Sequence, residues 1–430
     1  MKNGKNVVIA QSGGPTPVIN NSLRGIIEGC RMFPDKFGKI YAGFHGVEGI
    51  LKEQLLDLSV QDEDEIQLLR TTPAAGAIGT CRYKLKKHQT EDFRRIIDVF
   101  AAHNVSYFFY IGGNDSMDTA SKVAILANEK GLDLTAVGIA KTIDNDLGDS
   151  EFKLIDHSPG YGSTARYWAL NIQNANEENK GSCPSDPVLV IQVMGRKIGF
   201  IPAAARLADT NREIPLQIYL PESDIKLEEL RDNVNDEVVK SGRVIVVVSE
   251  GFNVGDIGEI KDSFGHTQFS ASTFTAQQAV VNYLNKAGLK ARGSARGQTP
   301  GTDQRHNMIY ASDVDLEEAF RIGQNAVTIA VESGSGYMST MIRKPGATYK
   351  VQYDKVPLEL IANSERRFPK NWITPSKIDV TDDFIKYAKP LIGQDWVNVP
   401  LIKGIQRFTK FQKIFAEQKL HEYLPQAYKE

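Results

Sequence analysis

Val105-Ser-Tyr-Phe-Phe-Tyr-Ile111 runs into Gly112-Gly-Asn-Asp-Ser116, then into a helical stretch to about Lys130, then into Leu134-Thr-Ala-Val-Gly-Ile139. A β-rich apolar run, a glycine turn, a helix and a second apolar run make the βαβ unit of a parallel sheet. The second run is followed at once by Ala140-Lys-Thr-Ile-Asp-Asn-Asp146. A buried parallel strand delivers its carboxyl end to the crevice where α/β proteins bind ligands. Two carboxylates (Asp144, Asp146), a cation (Lys141) and a hydroxyl (Thr142) gathered there are costly unless a charged ligand or a metal uses them. Asp-Asn-Asp is also turn and N-cap chemistry, so this stretch alone leaves both readings open.

Outward from this unit the same grammar recurs. Val7–Ala10 leads into Gln11-Ser-Gly-Gly-Pro-Thr-Pro17 and a helical pattern over Val18–Ile27. Val188–Val193 leads into Met194-Gly195-Arg196, and Arg243–Ser249 into Glu250-Gly251-Phe252. Leu227, Leu230, Val234 and Val238 mark an amphipathic helix between them. The polar stretch Asn176–Pro187 reads as a linker. The chain from Tyr353 onward, with Pro357, Pro369, Pro375, Pro390 and Pro400, reads as irregular structure wrapped on the rest. The layout predicts two doubly wound α/β lobes with the active site in the cleft between them.

The 430 residues suit two such lobes. With 41% hydrophobic and 24% charged residues, the composition is that of a soluble globular protein. The 51 basic and 53 acidic residues nearly cancel, which argues against a nucleic-acid surface. Cys30, Cys81 and Cys183 form no CxxC pair, so neither a disulfide framework nor a zinc site is expected. Met1–Lys5 is polar and no apolar run approaches the ~18 residues of a membrane span. No membrane association and a cytoplasmic location are therefore expected. His45, His88, His103, His157, His266, His306 and His421 show no ligand spacing and read as structural. Ala165, Trp168, Ile172 and Ala175 share one helix face and read as core. The basic run Lys84–His88 reads as a solvated face that could also draw in polyanions.

Gly13-Gly14 and Gly112-Gly113 each separate a strand from a helix, where glycine lets the backbone approach an anion at the helix start. Neither fits the GxGxxG dinucleotide fingerprint or the GxxxxGK[ST] P-loop. A nicotinamide dehydrogenase is excluded on that ground.

Taken together, the strand-end motifs resemble the phosphofructokinase family. They are Gly13-Gly14, Thr80-Cys-Arg-Tyr83, Gly112-Gly-Asn-Asp-Ser116, Lys141-Thr-Ile-Asp-Asn-Asp146, Met194-Gly-Arg196, Ser249-Glu-Gly251 and Pro300-Gly-Thr-Asp-Gln-Arg305. They occur in the family's order from residue 6 to about 330. The resemblance implies phosphoryl transfer to the 1-hydroxyl of fructose 6-phosphate, a step of glycolysis and gluconeogenesis. Asp144 matches the base that takes the hydroxyl proton, with Lys141 and Asp115 beside the chemistry. Gly13, Gly14, Arg82 and Lys141 match the phosphate-donor site. Thr142, Ile143, Asp144, Met194, Gly195, Arg196, Glu250, Thr302 and Arg305 match the sugar-phosphate site. Arg296 matches an arginine that crosses a subunit interface, and a homo-oligomer, dimer or tetramer, is implied. Where members carry a further arginine before the Met-Gly-Arg strand, Pro187 stands. Residues 1–155 would form the donor lobe, completed by part of 306–365. Residues 156–305 would form the fructose-6-phosphate lobe, completed by part of 366–430.

ATP-using members generally carry Gly-Gly-Asp-Gly, and a glycine before Thr-Ile-Asp-Asn-Asp; here those glycines are Asp115 and Lys141. A carboxylate about 4 Å from the α-phosphate of ATP, at an effective dielectric of about 20, would cost about 4 kcal/mol, roughly a thousandfold. Inorganic diphosphate has no α-phosphate, and Lys141 supplies it with a cation. The resemblance is therefore to the pyrophosphate-dependent branch, with diphosphate and fructose 6-phosphate as substrates and Mg²⁺ as cofactor. The metal is expected on Asn114, Asp115 and Asp146, with Asn114 standing where members usually carry Asp. An ATP-dependent enzyme is opposed by Asp115 and Lys141. A catalytically silent regulatory subunit is opposed by the intact Asp144 and Asp146.

Overall fold

The computed structural model describes residues 4–86, 88–255, 274–362 and 364–429; Met1–Asn3, Lys87 of the basic run and His266 lie outside them. In chain order the main strands are β1 (Lys5–Gln11), β2 (Phe37–Gly43), β3 (Leu55–Asp57), β4 (Val105–Gly112), β5 (Thr135–Ala140) and β6 (Val188–Val193). They continue with β7 (Leu216–Tyr219), β8 (Val244–Ser249), β9 (Ala295–Gln298), β10 (Tyr337–Arg343) and β11 (Val351–Pro357). Seven form one sheet in the order β11-β10-β5-β4-β1-β2-β3, parallel except for the antiparallel edge strands β3 and β11. The second sheet, β7-β8-β6-β9, is parallel throughout. Helices cover both faces of a parallel sheet, which is why β6 and β8 are buried at every residue and read as unbroken apolar runs.

The strand order reverses at β1, which has β2 on one side and β4 on the other. The crevice of a doubly wound sheet opens at such a reversal, and Gly13-Gly14 and Gly112-Gly113 are the turns that leave these two strands. The helices Ile19–Arg31 and Asp313–Glu332 cross closely on this lobe. A Cβ at Gly25 would lie 2.1 Å from the Phe320 carbonyl oxygen, so only glycine permits that approach.

Two expectations are corrected. The Asn176–Pro187 linker is helical over its first half, because the helix Tyr161–Ser182 continues to Ser182; its polar residues are largely an exposed helix face. The irregular tail from Tyr353 instead begins inside β11, and the helix Asp382–Ala388 follows later. Val380, Phe384 and Leu391 join the core around Phe200 and Ile218 of the second lobe. The chain then returns to the first lobe, where Lys419 N–H donates to Glu53 and Tyr423 to Asp92.

Candidate functional site

The carboxyl ends of β1, β4, β5, β6 and β8 converge on a cleft of about 560 Å³. Gly13 takes a left-handed φ of 76° and its N–H is bound by the Cys81 carbonyl at 2.8 Å, which turns the chain away from β1. A Cβ at Gly14 would lie 3.0 Å from Arg305 Nη1 and 4.0 Å from Arg82 Nη2. Two guanidinium groups thus face a backbone that carries no side chain, a setting suited to phosphate oxygens. Lys141 Nζ donates to the Gly14 carbonyl at 2.6 Å. Burial pulls the Lys141 ammonium down to about 7, against the attraction of Asp144.

The helix Asn114–Glu129 starts after Gly113 without a side-chain cap, and Asp115 lies in its first turn. A helix N-terminus attracts an anion; here the chain supplies its own carboxylate, and Asp115 is ion-paired with Lys84 at 2.7 Å. Asn114 donates to the Ser364 carbonyl at 3.1 Å, while its Oδ1 is buried without a partner.

After β5, Asp144 N–H donates to Thr142 Oγ1 at 3.1 Å, and Asn145 adopts φ 56°. This left-handed step turns Asn145 inward while Asp144 and Asp146 line the cleft. Burial, and then Asp146, raise Asp144 to about 6, with Arg196, Lys141 and Arg305 opposing. Arg196 Nε stands 3.6 Å from Asp144 Oδ2. On the second lobe Gly195 (φ 119°) and Arg196 (φ 52°) form a tight turn. The Arg196 N–H donates to Glu250 Oε1 at 3.0 Å. Burial and Asp144 raise Glu250 to about 7. A Cβ at Gly251 would meet the Arg196 carbonyl oxygen at 2.0 Å, which explains the glycine after Glu250. Met194 is fixed by its N–H to Gln304 Oε1 at 3.1 Å. Arg305 Nε is buried without a partner.

Gly13, Gly14, Arg82, Asn114, Asp115, Lys141, Thr142, Ile143, Asp144, Asp146, Met194, Arg196, Glu250 and Arg305 all line this cleft, and Gly195 is the turn between two of them. Two expected residues do not. Thr302 is exposed, with His306 3.4 Å from its hydroxyl; the turn Gly301–Arg305 turns Gln304 inward and Arg305 to the cleft, leaving Thr302 outside. Arg296, on edge strand β9, is largely exposed and pairs with Asp186 at 2.6 Å, away from the cleft of its own chain. Arg305, expected with the sugar-phosphate residues, abuts the Gly14 turn. Glu365, Tyr110 and Thr119 line the cleft and were not foreseen; Lys84, read as solvated, lines it too. Lys84 was signalled by standing two residues after Arg82, whereas Glu365 carried no local signal. Among the described residues no cluster of three His, Cys, Asp or Glu forms a metal cage, and no helix is long and apolar enough to cross a membrane.

The sequence profile described as Phosphofructokinase matches residues 6–330. The chain is 37% identical to the pyrophosphate–fructose 6-phosphate 1-phosphotransferase of Halomonas elongata over 428 residues, 97% of this chain and 99% of that one. A crystal structure of a pyrophosphate-dependent phosphofructokinase from Marinobacter aquaeolei is 35% identical with a TM-score of 0.86, covering 98% of this chain and 99% of that one. Its counterpart from Nitrosospira multiformis is also 35% identical, with a TM-score of 0.87 and coverage of 98% and 100%. With these motifs in one cleft and a family match over three quarters of its length, the chain belongs to the phosphofructokinase family.

Proposed function

We propose that the chain transfers a phosphoryl group reversibly from inorganic diphosphate to the 1-hydroxyl of fructose 6-phosphate, giving fructose 1,6-bisphosphate and phosphate. The observation that carries the choice of donor is that one cleft holds both a buried Lys141 at Gly14 and an acidic Asp115 at the adjacent helix start. The cation serves a donor without a nucleoside handle, and the carboxylate repels a third phosphate. The names of the relatives agree with this reading.

In the reaction, Asp144 takes the proton from the sugar's 1-hydroxyl as that oxygen bonds to phosphorus. The bond from phosphorus to the bridging oxygen breaks, and phosphate leaves with the electron pair. Such transfers depend on positioning and charge neutralisation. Arg82, Lys141 and the Gly13-Gly14 backbone hold the donor. Met194, Gly195, Arg196 and Glu250 hold the sugar phosphate, with Thr142 and Ile143 lining its reactive end, and Arg305 spans both substrates. Mg²⁺ fits the donor set: Asp146 and the partnerless Oδ1 of Asn114 are the kind of sparse ligands this ion takes beside substrate phosphates. It would neutralise the charge of the donor. Asp115, paired with Lys84, is left to exclude nucleotides.

The donor lobe comprises residues 1–155 with part of 306–365, and the sugar lobe 156–305 with part of 366–430, the last residues of which pack back on the donor lobe. The chain acts in the cytoplasm as a homodimer or homotetramer, in which exposed Arg296 reaches the cleft of a second copy. An assay of fructose 1,6-bisphosphate formation from diphosphate and fructose 6-phosphate, and of diphosphate release in reverse, tests this function. Turnover in both directions is expected. A protein that binds fructose 6-phosphate but turns over in neither direction would be a silent regulatory subunit.

A further inference from the structure

Asp144 and Asp146 line the cleft, yet the residue between them points the opposite way and meets a buried apparatus that the phosphoryl-transfer scheme does not use. Asn145 is fully buried in a left-handed backbone conformation. Its Oδ1 accepts from the Ser158 N–H at 3.0 Å and from Arg366 Nη1 at 3.2 Å. Its Nδ2 donates to the Tyr387 hydroxyl at 2.8 Å. Arg366 is itself fully buried. It donates to the carbonyls of Asp156 at 2.9 Å, Asp149 at 3.0 Å and Ile155, and lies over the Phe152 ring. Its own N–H donates to the Asp146 carbonyl at 3.0 Å. Every one of these acceptors is a neutral oxygen. A buried guanidinium satisfied without a carboxylate is expensive, and its fork places four hydrogen bonds on Asn145 and three carbonyls of the following chain in a way lysine cannot.

We propose that Arg366 is a positioning residue for the reaction: through Asn145 and the Asp146 carbonyl it fixes the turn that presents Asp144 and Asp146 to the substrates. Arg366 lies beyond residue 330, where the family match ends, so the C-terminal segment completes a turn that the family core only begins. Tyr387 acts on the same back face, binding Asn145 and donating to the Asp156 carbonyl at 2.9 Å. The adjoining Ser364 carbonyl holds Asn114 just after β4, so one short segment braces the turns after both β4 and β5. A base displaced by about 1 Å loses on the order of 100-fold in rate. The consequence should therefore fall on turnover rather than on binding.

The inference rests on the functional reading above, and the test separates the two. Arg366→Lys and Tyr387→Phe are each made in the wild-type and in the Asp144→Asn background, and assayed with diphosphate and fructose 6-phosphate. Arg366→Lys should lower kcat by about 10- to 100-fold with both KM values nearly unchanged. In the Asp144→Asn background the same change should cost at least about fivefold less, because the part acting through Asp144 is already lost and only the part acting through Asp146 remains. Its effect on the thermal midpoint should be the same in both backgrounds. If Arg366→Lys does not fold, Tyr387→Phe, which removes one hydroxyl from the same face, should show the same non-additivity with a several-fold loss. Equal kcat losses in both backgrounds, or a raised KM at unchanged kcat, would overturn the positioning role. An inactive wild-type protein would overturn the functional reading and this one with it.

Discussion

The buried Lys141 ammonium donates to the Gly14 carbonyl at 2.6 Å, so the turn after β5 and the turn after β1 are joined through a cation in the cleft. That cation is held down to about 7 by burial, while burial lifts the nearby Asp144 to about 6. In the proposed mechanism the forward reaction needs Asp144 ionised and Lys141 protonated. Its kcat/KM for diphosphate should therefore rise with pH near 6 and fall near 7, the two limbs belonging to the coupled pair. Bound diphosphate favours the ammonium, so the falling limb of kcat at saturation should lie about 1–3 pH units higher. Profiles measured side by side check this. Coincident falling limbs would place the basic group elsewhere.

Asp144→Asn tests the base itself. The replacement is nearly isosteric, so the fold should persist, and kcat should drop by roughly 10²–10⁴. Circular dichroism and steady-state kinetics check both halves of the statement. A variant keeping more than about a tenth of wild-type turnover would assign the proton to another acceptor.

Glu250→Gln tests the sugar side. Glu250 lies across the cleft from the Gly14 turn, oriented by the Arg196 N–H. If Glu250 binds the sugar hydroxyls as proposed, its loss should raise KM for fructose 6-phosphate by about 10- to 100-fold, leaving KM for diphosphate within about twofold. Equal rises for both substrates would mean that the change acts on the shape of the cleft.

His157 gives a stability prediction. Its ring nitrogens lie 2.8 Å from Asp156 Oδ2 and 2.8 Å from Glu318 Oε2. Burial disfavours the charged ring, but the two carboxylates prevail and raise it to about 9. A histidine whose pKa rises on folding stabilises fully below its unfolded value of about 6.5, and this is lost as pH climbs through about 9. The thermal midpoint should fall from about pH 6.5 to 9.5, and His157→Asn should be less stable at pH 6.5 with a shallower fall. Parallel curves for the two proteins would mean that the ring is neutral throughout.

The parts of the fold legible in the sequence are those written locally. Val105–Ile111, the glycine turn and Leu134–Ile139 became β4, a helix start and β5 because fully buried parallel strands are continuous apolar runs. The cleft residues followed, since strand ends and glycine turns fix where side chains converge. What escaped was non-local. β10 enters the first sheet beside β5, some two hundred residues along the chain, and nothing in Tyr337–Arg343 names that neighbour. Glu365 and Arg366 reach the site through the same return. Asn176–Ser182 looked like a linker because the outer face of a long helix is as polar as a loop. Thr302 shares a motif with Arg305 but not its direction, a distinction that a turn of five residues makes only in three dimensions.

Donor choice is the central claim, and the kcat/KM of the wild-type protein with diphosphate against that with ATP, at fixed fructose 6-phosphate, tests it most directly. The first-turn carboxylate of Asp115, its charge partly offset by Lys84, and the Lys141 cation at Gly14 predict a ratio of at least about tenfold in favour of diphosphate. Asp115→Gly should narrow that ratio by raising ATP turnover, and Lys141→Gly by weakening diphosphate use. The two effects should not simply add, because both positions border the donor phosphates. A wild-type protein that prefers ATP, or an Asp115→Gly variant that improves diphosphate use and leaves ATP untouched, would contradict the account.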